Sequence, residues 1–247
     1  MLEPVVVIPV YNHPSTIGRI AHAVAALGLP CILVDDGSEA DCAAVLDLLA
    51  QGRAPQVVLV RLATNQGKGA AMAAGFAEAA RHGYSHALQI DADGQHDCAD
   101  IPRFLAQARQ WPEAVICGCP VYDASVPRGR LYGRYATHVW VWINTLSLDI
   151  RDSMCGFRVY PLAPVTALLR RTRIGQRMDF DSDIIVRLYW RGVPVVNLPT
   201  PVRYPQDGIS HFRMWRDNVR ISLMHARLFL GMLWRAPLLL WRKVARP

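Results

Sequence analysis

Two carboxylates placed two residues apart could hold a metal ion. The segment Asp91-Ala92-Asp93 follows an apolar run at residues 87–90, and Gln95 comes two residues later. A turn at Gly94 lets both carboxylates converge, and carboxylate and amide oxygens suit Mg²⁺ or Mn²⁺. An ion held there could bridge a diphosphate and neutralise the charge on a leaving nucleotide. The alternative is a capped turn in which the aspartates bond only the backbone.

Polar residues also follow two earlier apolar runs. Asp35-Asp36-Gly37-Ser38 comes after residues 31–34, and Pro9-Val10-Tyr11-Asn12 ends residues 4–10. An aspartate such as Asp36 can accept hydrogen bonds from a base or a ribose hydroxyl, and Tyr11 could stack on a base. Ser38 could equally be a plain helix cap. These segments together predict a nucleotide site.

A glycine pair with a lysine between them precedes an alanine-rich segment. Gly67-Lys68-Gly69 at a helix start predicts a phosphate nest, in which Lys68 meets a phosphate. Glycines that allow close helix packing are the alternative. The full G-x-G-x-x-G and the GK[ST] patterns are missing, which disfavours a Rossmann dinucleotide site and an ATPase.

Alternating apolar runs and helical periods indicate the elements that position these residues. Strands are predicted at 4–10, 31–34, 56–62, 87–90 and 114–117, with helices at 14–27, 39–49, 67–82 and 100–110 between them. After Gly118 we expect a loop at 120–133, helices at 131–148 and 179–190, and a strand at 193–198. The pattern predicts an α/β fold, a mostly parallel sheet with helices on both faces. Ligands bind at the carboxyl edge of such sheets.

The positive charge of the chain is concentrated at its C-terminus. Of 27 Lys and Arg, eight lie in residues 211–247 together with one acid, Asp217, which leaves 19 bases and 19 acids before residue 211. The tail therefore carries the whole formal charge of +7. No recognised nucleic-acid motif accompanies it. The six cysteines form no C-x-x-C pair, and we expect them to be buried thiols in a reducing, cytoplasmic compartment.

The tail combines these charges with apolar and aromatic residues. Its apolar run is interrupted by Arg227, Arg235 and Pro237, so we expect no transmembrane helix. We expect instead two amphipathic helices with a break near Pro237. Trp234 and Trp241 beside basic residues fit a peripheral anchor on an anionic membrane surface. A helix packed on the body of the protein is the open alternative.

Several motifs together resemble one enzyme family. They are IPVYN (8–12), DDGS (35–38), NQGKGAA (65–71), DADGQH (91–96), DSMCGFRVY (152–160) and FDSDIIVRL (180–188). In this order the chain resembles the family-2 glycosyltransferases of GT-A fold, particularly the polyprenyl-phosphate (dolichol-phosphate-type) mannosyl- and glucosyltransferase branch. The resemblance spans about residues 4–212.

The resemblance implies roles for individual residues. Pro9, Tyr11 and Asp36 would contact the base and ribose, while Asp91, Asp93 and Gln95 would hold the metal and diphosphate. Arg134 and Arg158 would face the phosphates or the acceptor. Asp183 would be the base for a hydroxyl acceptor, although relatives usually carry Glu there. Cys117-Gly118-Cys119-Pro120 replaces a turn in which relatives tend to have an arginine, so one phosphate contact is missing.

The expected activity follows from these roles. Residues 1–210 would form the GT-A catalytic domain and 211–247 the basic anchor. The enzyme would move a hexose from a nucleotide-diphosphate sugar, with inversion and Mg²⁺ or Mn²⁺, to a lipid-phosphate or lipid-linked hydroxyl acceptor at the inner face of the membrane. Asp93, Arg158 and Asp183 are the expected catalytic residues. A non-catalytic nucleotide-sugar-binding scaffold and a sugar nucleotidyltransferase are the alternatives.

Overall fold

The computed structural model describes residues 2–52, 56–122, 128–202 and 213–245. Its strands are β1 (Pro4–Val10), β2 (Cys31–Asp35), β3 (Val57–Arg61), β4 (His86–Gln89), β5 (Val115–Tyr122), β6 (Arg158–Pro161) and β7 (Val195–Val202). Its α-helices are α1 (Pro14–Ala26), α2 (Ala40–Gly52), α3 (Lys68–Arg81), α4 (Ile101–Gln110), α5 (Arg128–Thr145), α6 (Leu162–Leu169), α7 (Phe180–Trp190) and α8 (Met214–Val244).

One mostly parallel sheet organises the molecule. Its strand order is β3-β2-β1-β4-β6-β5-β7, and β6 runs antiparallel to both of its neighbours. The four strands β3, β2, β1 and β4 are mutually parallel, so their carboxyl ends meet at one edge. The predicted α/β architecture is therefore confirmed, and β6 separates the fifth predicted strand from the fourth.

Two apolar layers hold helices on the two faces of the sheet. Ile17 of α1, Leu46 of α2 and Phe104 of α4 pack on one face. Phe76 of α3 and Ile184 of α7 belong to the other layer, with residues of α5, α6 and α8. Strand β1 contributes to both layers because its side chains alternate between two buried faces, which explains its nearly continuous apolar run.

The second half of the chain differs from the prediction in three places. Strand β5 continues to Tyr122, inside the predicted loop at 120–133. Helix α5 begins at Arg128, inside the predicted loop at 120–133, of which 123–127 lie outside the described residues. Helix α6 was not predicted, since its eight residues are too few to show a helical period in the sequence. Strand β7 and helix α7 are present close to their predicted bounds.

The C-terminal tail forms one helix rather than two. Helix α8 continues through Pro237 and packs on α5 and α7. Met224, Leu228, Met232 and Leu239 on its buried face belong to the core. The prediction of a break near Pro237 is thus wrong. The helical turns before and after this proline are both packed in the core, through Met232 and Leu239. The expected domain boundary at residue 210 lies outside the described residues.

Helix α8 is also the one described helix that is long and apolar enough, by length and composition, to cross a membrane. The share of its most apolar 18-residue window that is buried in the protein is 28%. Length and composition alone do not decide whether a helix spans a membrane, so the expectation that the tail does not span one stays a prediction. Its contacts with α5 and α7 show that one face of this helix is occupied by the protein itself.

Candidate active site

A lysine joins two carboxylates at the carboxyl end of β4. Lys68 Nζ donates to Asp91 Oδ2 at 2.8 Å and to Asp181 Oδ2 at 2.7 Å. Gln89 Nε2 donates to Asp181 Oδ1 at 3.1 Å and lies 3.5 Å from Asp91 Oδ1. These four side chains form one closed network, which fixes the Asp91 carboxylate from two directions.

The charges in this network stabilise one another. Burial raises the pKa of Asp91, but the Lys68 ammonium opposes this effect and holds that pKa below its usual value. Burial lowers the pKa of Lys68, while Asp181 and Asp91 raise it above its usual value. Both partners therefore stay charged at neutral pH, and Lys68 cancels part of the negative charge of the site.

Asp93 lies in a different electrostatic environment. Burial, together with the negative charge of Asp91, raises the pKa of Asp93 to about 6. Its Oδ1 accepts a hydrogen bond from the Gln95 backbone N–H at 3.0 Å, which forms the turn at Gly94. The ionised Asp93 is thus short of positive charge, which a cation at this position would provide.

A histidine next to this turn is held neutral. Burial lowers the pKa of His96 to about 4, and its ring stacks on Phe157 with 5.4 Å between centroids. Its Nδ1 is buried and has no hydrogen-bond partner among the described residues. His96 was not among the predicted site residues; its position after Asp91, Asp93 and Gln95 was the available signal.

The donor types at this turn fit a divalent cation. No group of three His, Cys, Asp or Glu side chains in the described parts of the chain has an arrangement that could hold a metal. However, the charge of Asp93 is only partly compensated, by Lys68 and the Gln95 N–H, and within the described ranges His96 Nδ1 has no partner. With the amide of Gln95, these groups offer the oxygen and nitrogen donors that Mn²⁺ or Mg²⁺ accepts. The metal assignment of Asp91, Asp93 and Gln95 stays a prediction.

A glycine makes room for the Asp91 carboxylate. A Cβ added at Gly156, which lies before β6, would overlap all three carboxyl atoms of Asp91. The glycine of the G-F-R segment therefore has a steric role in the site. It allows the backbone before β6 to approach the end of β4.

We expect Gly156→Ala to reduce the activity of the enzyme by at least about tenfold, because its methyl group displaces Asp91 from Lys68. Activity and the far-ultraviolet circular dichroism of the purified variant measure the effect. Gly133→Ala is the matched control, since a Cβ there meets nothing within 4 Å. Equal activity of Gly156→Ala and wild type would show that Asp91 need not be held in this position.

The glycine-lysine loop does not form the predicted phosphate nest. The Asp36 carboxylate accepts bonds from the backbone N–H groups of Gln66 and Gly67, at 2.7 and 2.8 Å, and from Asn65 Nδ2 at 3.1 Å. The N–H groups of Gly69 and Ala70 donate to Gln176 O. The loop amides are thus already bonded within the protein, and Lys68 lies between two carboxylates.

The predicted nucleotide-contacting residues lie at the same edge of the sheet. The Asp36 backbone N–H donates to Val10 O at 2.8 Å, which places the loops after β1 and β2 side by side. Asn12, with a φ of 55°, accepts a bond from the Glu39 N–H at 2.8 Å. Pro9, Tyr11 and Asp36 are thus brought together, and their contacts with a nucleotide stay a prediction.

Arg134 is engaged by a buried carboxylate. Its Nε and Nη2 both donate to Asp152 at 2.7 Å, and His138 Nε2 lies 3.2 Å from the same carboxylate. Burial raises the pKa of Asp152, but the bond from His138 and the charge of Arg134 lower it well below its usual value. Asp152 thus orients Arg134, whose contact with a phosphate stays a prediction.

The structure does not present Arg158 to a ligand. Arg158 lies in β6, opposite Gln89 and Cys117, and its side chain is fully buried. Its Nη1 donates to Asp181 O at 2.7 Å. The prediction that Arg158 faces the phosphates or the acceptor is therefore wrong in this structure: the guanidinium supports the start of α7 from inside the sheet.

Asp183 also points away from the site. It is fully buried, and its carboxylate accepts bonds from the Gly175 N–H at 2.9 Å and from Arg187 Nε. Residues two apart on a helix lie on nearly opposite sides, so Asp181 faces Lys68 and Asp183 does not. The assignment of Asp183 as the acceptor base is therefore corrected, and Asp181 is the site residue that was missed.

Comparison with known proteins connects this site to an enzyme family. The family model described as glycosyl transferase family 2 matches residues 5–174. The chain is 28% identical over 237 residues to polyprenol monophosphomannose synthase of Mycolicibacterium smegmatis, covering 88% of this chain and 83% of the relative. It is 36% identical over 232 residues to undecaprenyl-phosphate 4-deoxy-4-formamido-L-arabinose transferase of Klebsiella pneumoniae, covering 92% of this chain and 60% of that relative.

A solved structure has the same fold. Glucosyl-3-phosphoglycerate synthase from Mycobacterium tuberculosis, in complex with Mn²⁺, UDP-glucose and phosphoglyceric acid, superposes with a TM-score of 0.68. The match covers 94% of this chain and 79% of that chain at 16% sequence identity. At this identity the likeness concerns the fold, which is the GT-A fold that the motifs predicted.

Proposed function

The chain belongs to glycosyl transferase family 2 and is a glycosyltransferase, and on this premise we propose that it transfers a hexose from a nucleotide-diphosphate sugar to a polyprenyl phosphate at a membrane surface. The observation that carries the proposal is the Asp91 carboxylate, which Lys68, itself bonded to Asp181, fixes beside Asp93 at the carboxyl edge of the sheet. The names of three relatives support this class of acceptor. One is a polyprenol monophosphomannose synthase, and the other two are undecaprenyl-phosphate transferases.

The donor would lie across the ends of β1, β2 and β4. Tyr11 and the loop held by Asp36 would receive the nucleoside, and Asp91 and Asp93 would face the diphosphate. A divalent cation, when bound by Asp91, Asp93 and Gln95, would supply positive charge against the departing diphosphate. Lys68 would hold Asp91 in place and keep it ionised.

The contacts of α7 favour a phosphate acceptor over a hydroxyl acceptor. A hydroxyl group needs a base, whereas a phosphate is already ionised at neutral pH. Asp183 is occupied by Gly175 and Arg187, and Asp181 is occupied by Lys68 and Gln89. Neither carboxylate of α7 is therefore available to remove a proton, and direct displacement by a phosphate oxygen needs none.

An exposed apolar surface on α5 and α8, which we call the docking face, supports membrane association. On α8 it includes Trp215, Leu230, Trp234 and Trp241, each more than 60% exposed. Tyr135 and Val139 extend it on α5. Clustered exposed apolar residues beside basic side chains are typical of a surface that inserts into the headgroup region. We propose that this face binds the inner, anionic leaflet.

We expect the double variant Trp234→Ser/Trp241→Ser to bind anionic vesicles at least about a hundredfold more weakly, since each tryptophan buried in the bilayer contributes roughly 1.5–3 kcal/mol. Vesicle co-sedimentation at low and high salt measures this, because salt screens the charges and leaves the apolar part. Trp111→Ser is the matched control: Trp111 is 51% exposed at the end of α4, on the other face of the sheet. Unchanged binding of the double variant would rule out the docking face.

The proposed function is tested by the acceptor that receives sugar. Purified enzyme with Mn²⁺ is supplied with a panel of UDP- and GDP-hexoses and with either a polyprenyl phosphate or the matching polyprenol. We expect transfer to the phosphate only. Transfer to the alcohol at an equal rate would contradict a phosphate acceptor, and binding of a donor without any turnover would favour a scaffold.

A further inference from the structure

A cavity rich in arginine lies beside the loop that joins α6 to α7. Its volume is about 950 Å³, and its walls come from α3, the 169–177 loop and α8. Arginines supply much of the lining: Arg170, Arg171, Arg173, Arg177, Arg220 and Arg227. Asp179 is the one carboxylate among the lining residues. Such an excess of guanidinium groups gives the cavity a positive potential, which attracts anions.

The positive charge of this cavity is only partly compensated. Arg227 lies 3.9 Å from Asp179, and Arg220 lies 3.3 Å from Asp217. In the described ranges of the chain, no carboxylate comes within 4 Å of Arg170, Arg171 or Arg173. Three guanidinium groups are therefore available to an anionic ligand.

The loop that carries these arginines is held in one conformation. The Gly175 N–H donates to Asp183 Oδ2 at 2.9 Å, and the Arg177 N–H donates to Asp179 Oδ1 at 3.1 Å. Gln176 O accepts bonds from the first turn of α3. The Arg177 guanidinium is fixed by two bonds to Asn65. The two buried carboxylates, Asp179 and Asp183, thus shape a wall of the cavity before any ligand arrives.

The cavity lies next to the docking face. Arg220 and Arg227, two turns apart on α8, lie at the border between its buried side, with Met224 and Leu228, and its exposed apolar side, with Leu223 and Leu230. A group bound between these arginines would therefore sit at the level of lipid headgroups when the docking face meets a bilayer. Planar guanidinium groups match the oxygens of a phosphate.

From these observations we infer that the arginine cavity, whose lining includes none of Lys68, Gln89, Asp91 and Asp181, binds the phosphate group of a membrane lipid. The inference rests on the proposed function only for the presence of a membrane. The lipid phosphate could belong to a phospholipid or to the polyprenyl acceptor, and both present the same chemistry to the arginines. A free phosphate in solution is the competing source.

The test uses the full-length chain and the variant Arg171→Gln/Arg173→Gln. Both side chains are exposed, and neither contacts the Asp91–Lys68 network. The matched control is Arg81→Gln/Arg109→Gln, which removes the same charge from exposed positions at the ends of α3 and α4. Binding is measured by co-sedimentation with vesicles that contain phosphatidylglycerol, or polyprenyl phosphate, at equal surface charge. Thermal shift with inorganic phosphate probes the free anion.

We expect the cavity variant to bind the vesicles at least about tenfold more weakly than the control. A loss on both vesicle types supports a general lipid-phosphate site, and a loss only on polyprenyl phosphate identifies the acceptor as the ligand. Equal vesicle binding of variant and control overturns the inference. So does a variant that loses only its stabilisation by inorganic phosphate, because the ligand is then a free anion.

A separate measurement distinguishes failure of this inference from failure of the proposed function. Thermal shift with the nucleotide sugar and Mn²⁺ reports donor binding, which the cavity variant should retain. If wild type shows no response to any donor while the vesicle result holds, the proposed function fails and the lipid-phosphate site stands. If a donor stabilises the wild type but the cavity variant and its control bind vesicles equally, the lipid-phosphate site fails and the proposed function stands.

Discussion

Asp93→Asn is expected to reduce sugar transfer by at least about a hundredfold, the scale of losing one group that stabilises transition-state charge. A neutral amide does not replace the negative charge that a divalent cation needs at this position. Turnover with saturating Mn²⁺, measured as sugar incorporated into the lipid fraction, gives the result. Asp97→Asn is the matched control, because Asp97 is exposed and, among the described residues, its carboxylate bonds only the Ala99 N–H, at 2.9 Å.

The same variant should be at least as stable as wild type without metal. Burial and the charge of Asp91 raise the pKa of Asp93 to about 6, above its value in the unfolded chain. Ionised Asp93 therefore opposes folding at pH 7, and this unfavourable contribution is lost as the pH falls through about 6 and the carboxyl becomes protonated. The Tm of Asp93→Asn should match or exceed that of wild type, and Mn²⁺ should no longer raise it. A retained Mn²⁺-dependent rise would contradict the metal assignment.

A second large effect is expected at Asp181. Asp181→Asn removes one of the two carboxylates that fix Lys68, so Lys68 and Asp91 lose their defined positions. We expect kcat to fall by about a hundredfold, because a small misplacement of a positioning group carries a cost of that size. The concentration of Mn²⁺ required for half-maximal activity should also change, since Lys68 then neutralises Asp91 alone. Steady-state kinetics against Mn²⁺ measures both quantities.

Asp183→Asn is the matched control on the same helix. It makes the same substitution at a buried aspartate, but it removes bonds to Gly175 and Arg187 rather than to Lys68. We expect a lower Tm with kcat within a few-fold of wild type. If Asp183→Asn instead loses a hundredfold in kcat while folded, and Asp181→Asn does not, then Asp183 is the base after all.

The sheet and its ligand edge were predictable because their signals are local. Apolar runs at 4–10 and 31–34, each followed by polar residues, identify strands and the end at which their loops meet. Parallel pairing then brings the residues after β1, β2 and β4 to one edge whatever the details of the loops. The proximity of Tyr11, Asp36 and Asp91 along that edge follows from topology alone.

The partners of individual side chains were not predictable, because they depend on contacts between distant segments. Lys68 meets Asp181 across 113 positions of sequence, and Gly156 meets Asp91 through the return of β6. The carbonyl of Gln176 accepts hydrogen bonds from the first turn of α3, and no sequence pattern near either segment indicates this contact. Asp181 and Asp183 are indistinguishable by type and spacing, and only the orientation of α7 on the sheet decides which of them faces Lys68.

The structure of the C-terminal tail was also only partly predictable from its sequence. Its composition predicts two basic, amphipathic helices, but the tail forms the single helix α8, which also buries Met224, Leu228, Met232 and Leu239 in the core. A proline can be accommodated within a helix when surrounding contacts hold both sides, which propensity alone does not indicate. The exposed side of α8 keeps the aromatic and basic residues on which the membrane proposal depends.

The most direct test of the proposed function is transfer of radiolabelled hexose, from the donor that stabilises the protein, to vesicles containing either polyprenyl phosphate or polyprenol. Wild type and Asp93→Asn are compared with and without Mn²⁺. We expect label in the lipid fraction only with wild type, Mn²⁺ and polyprenyl phosphate together. Label on polyprenol at a comparable rate, or undiminished transfer by Asp93→Asn, would contradict a metal-assisted transfer to a lipid phosphate.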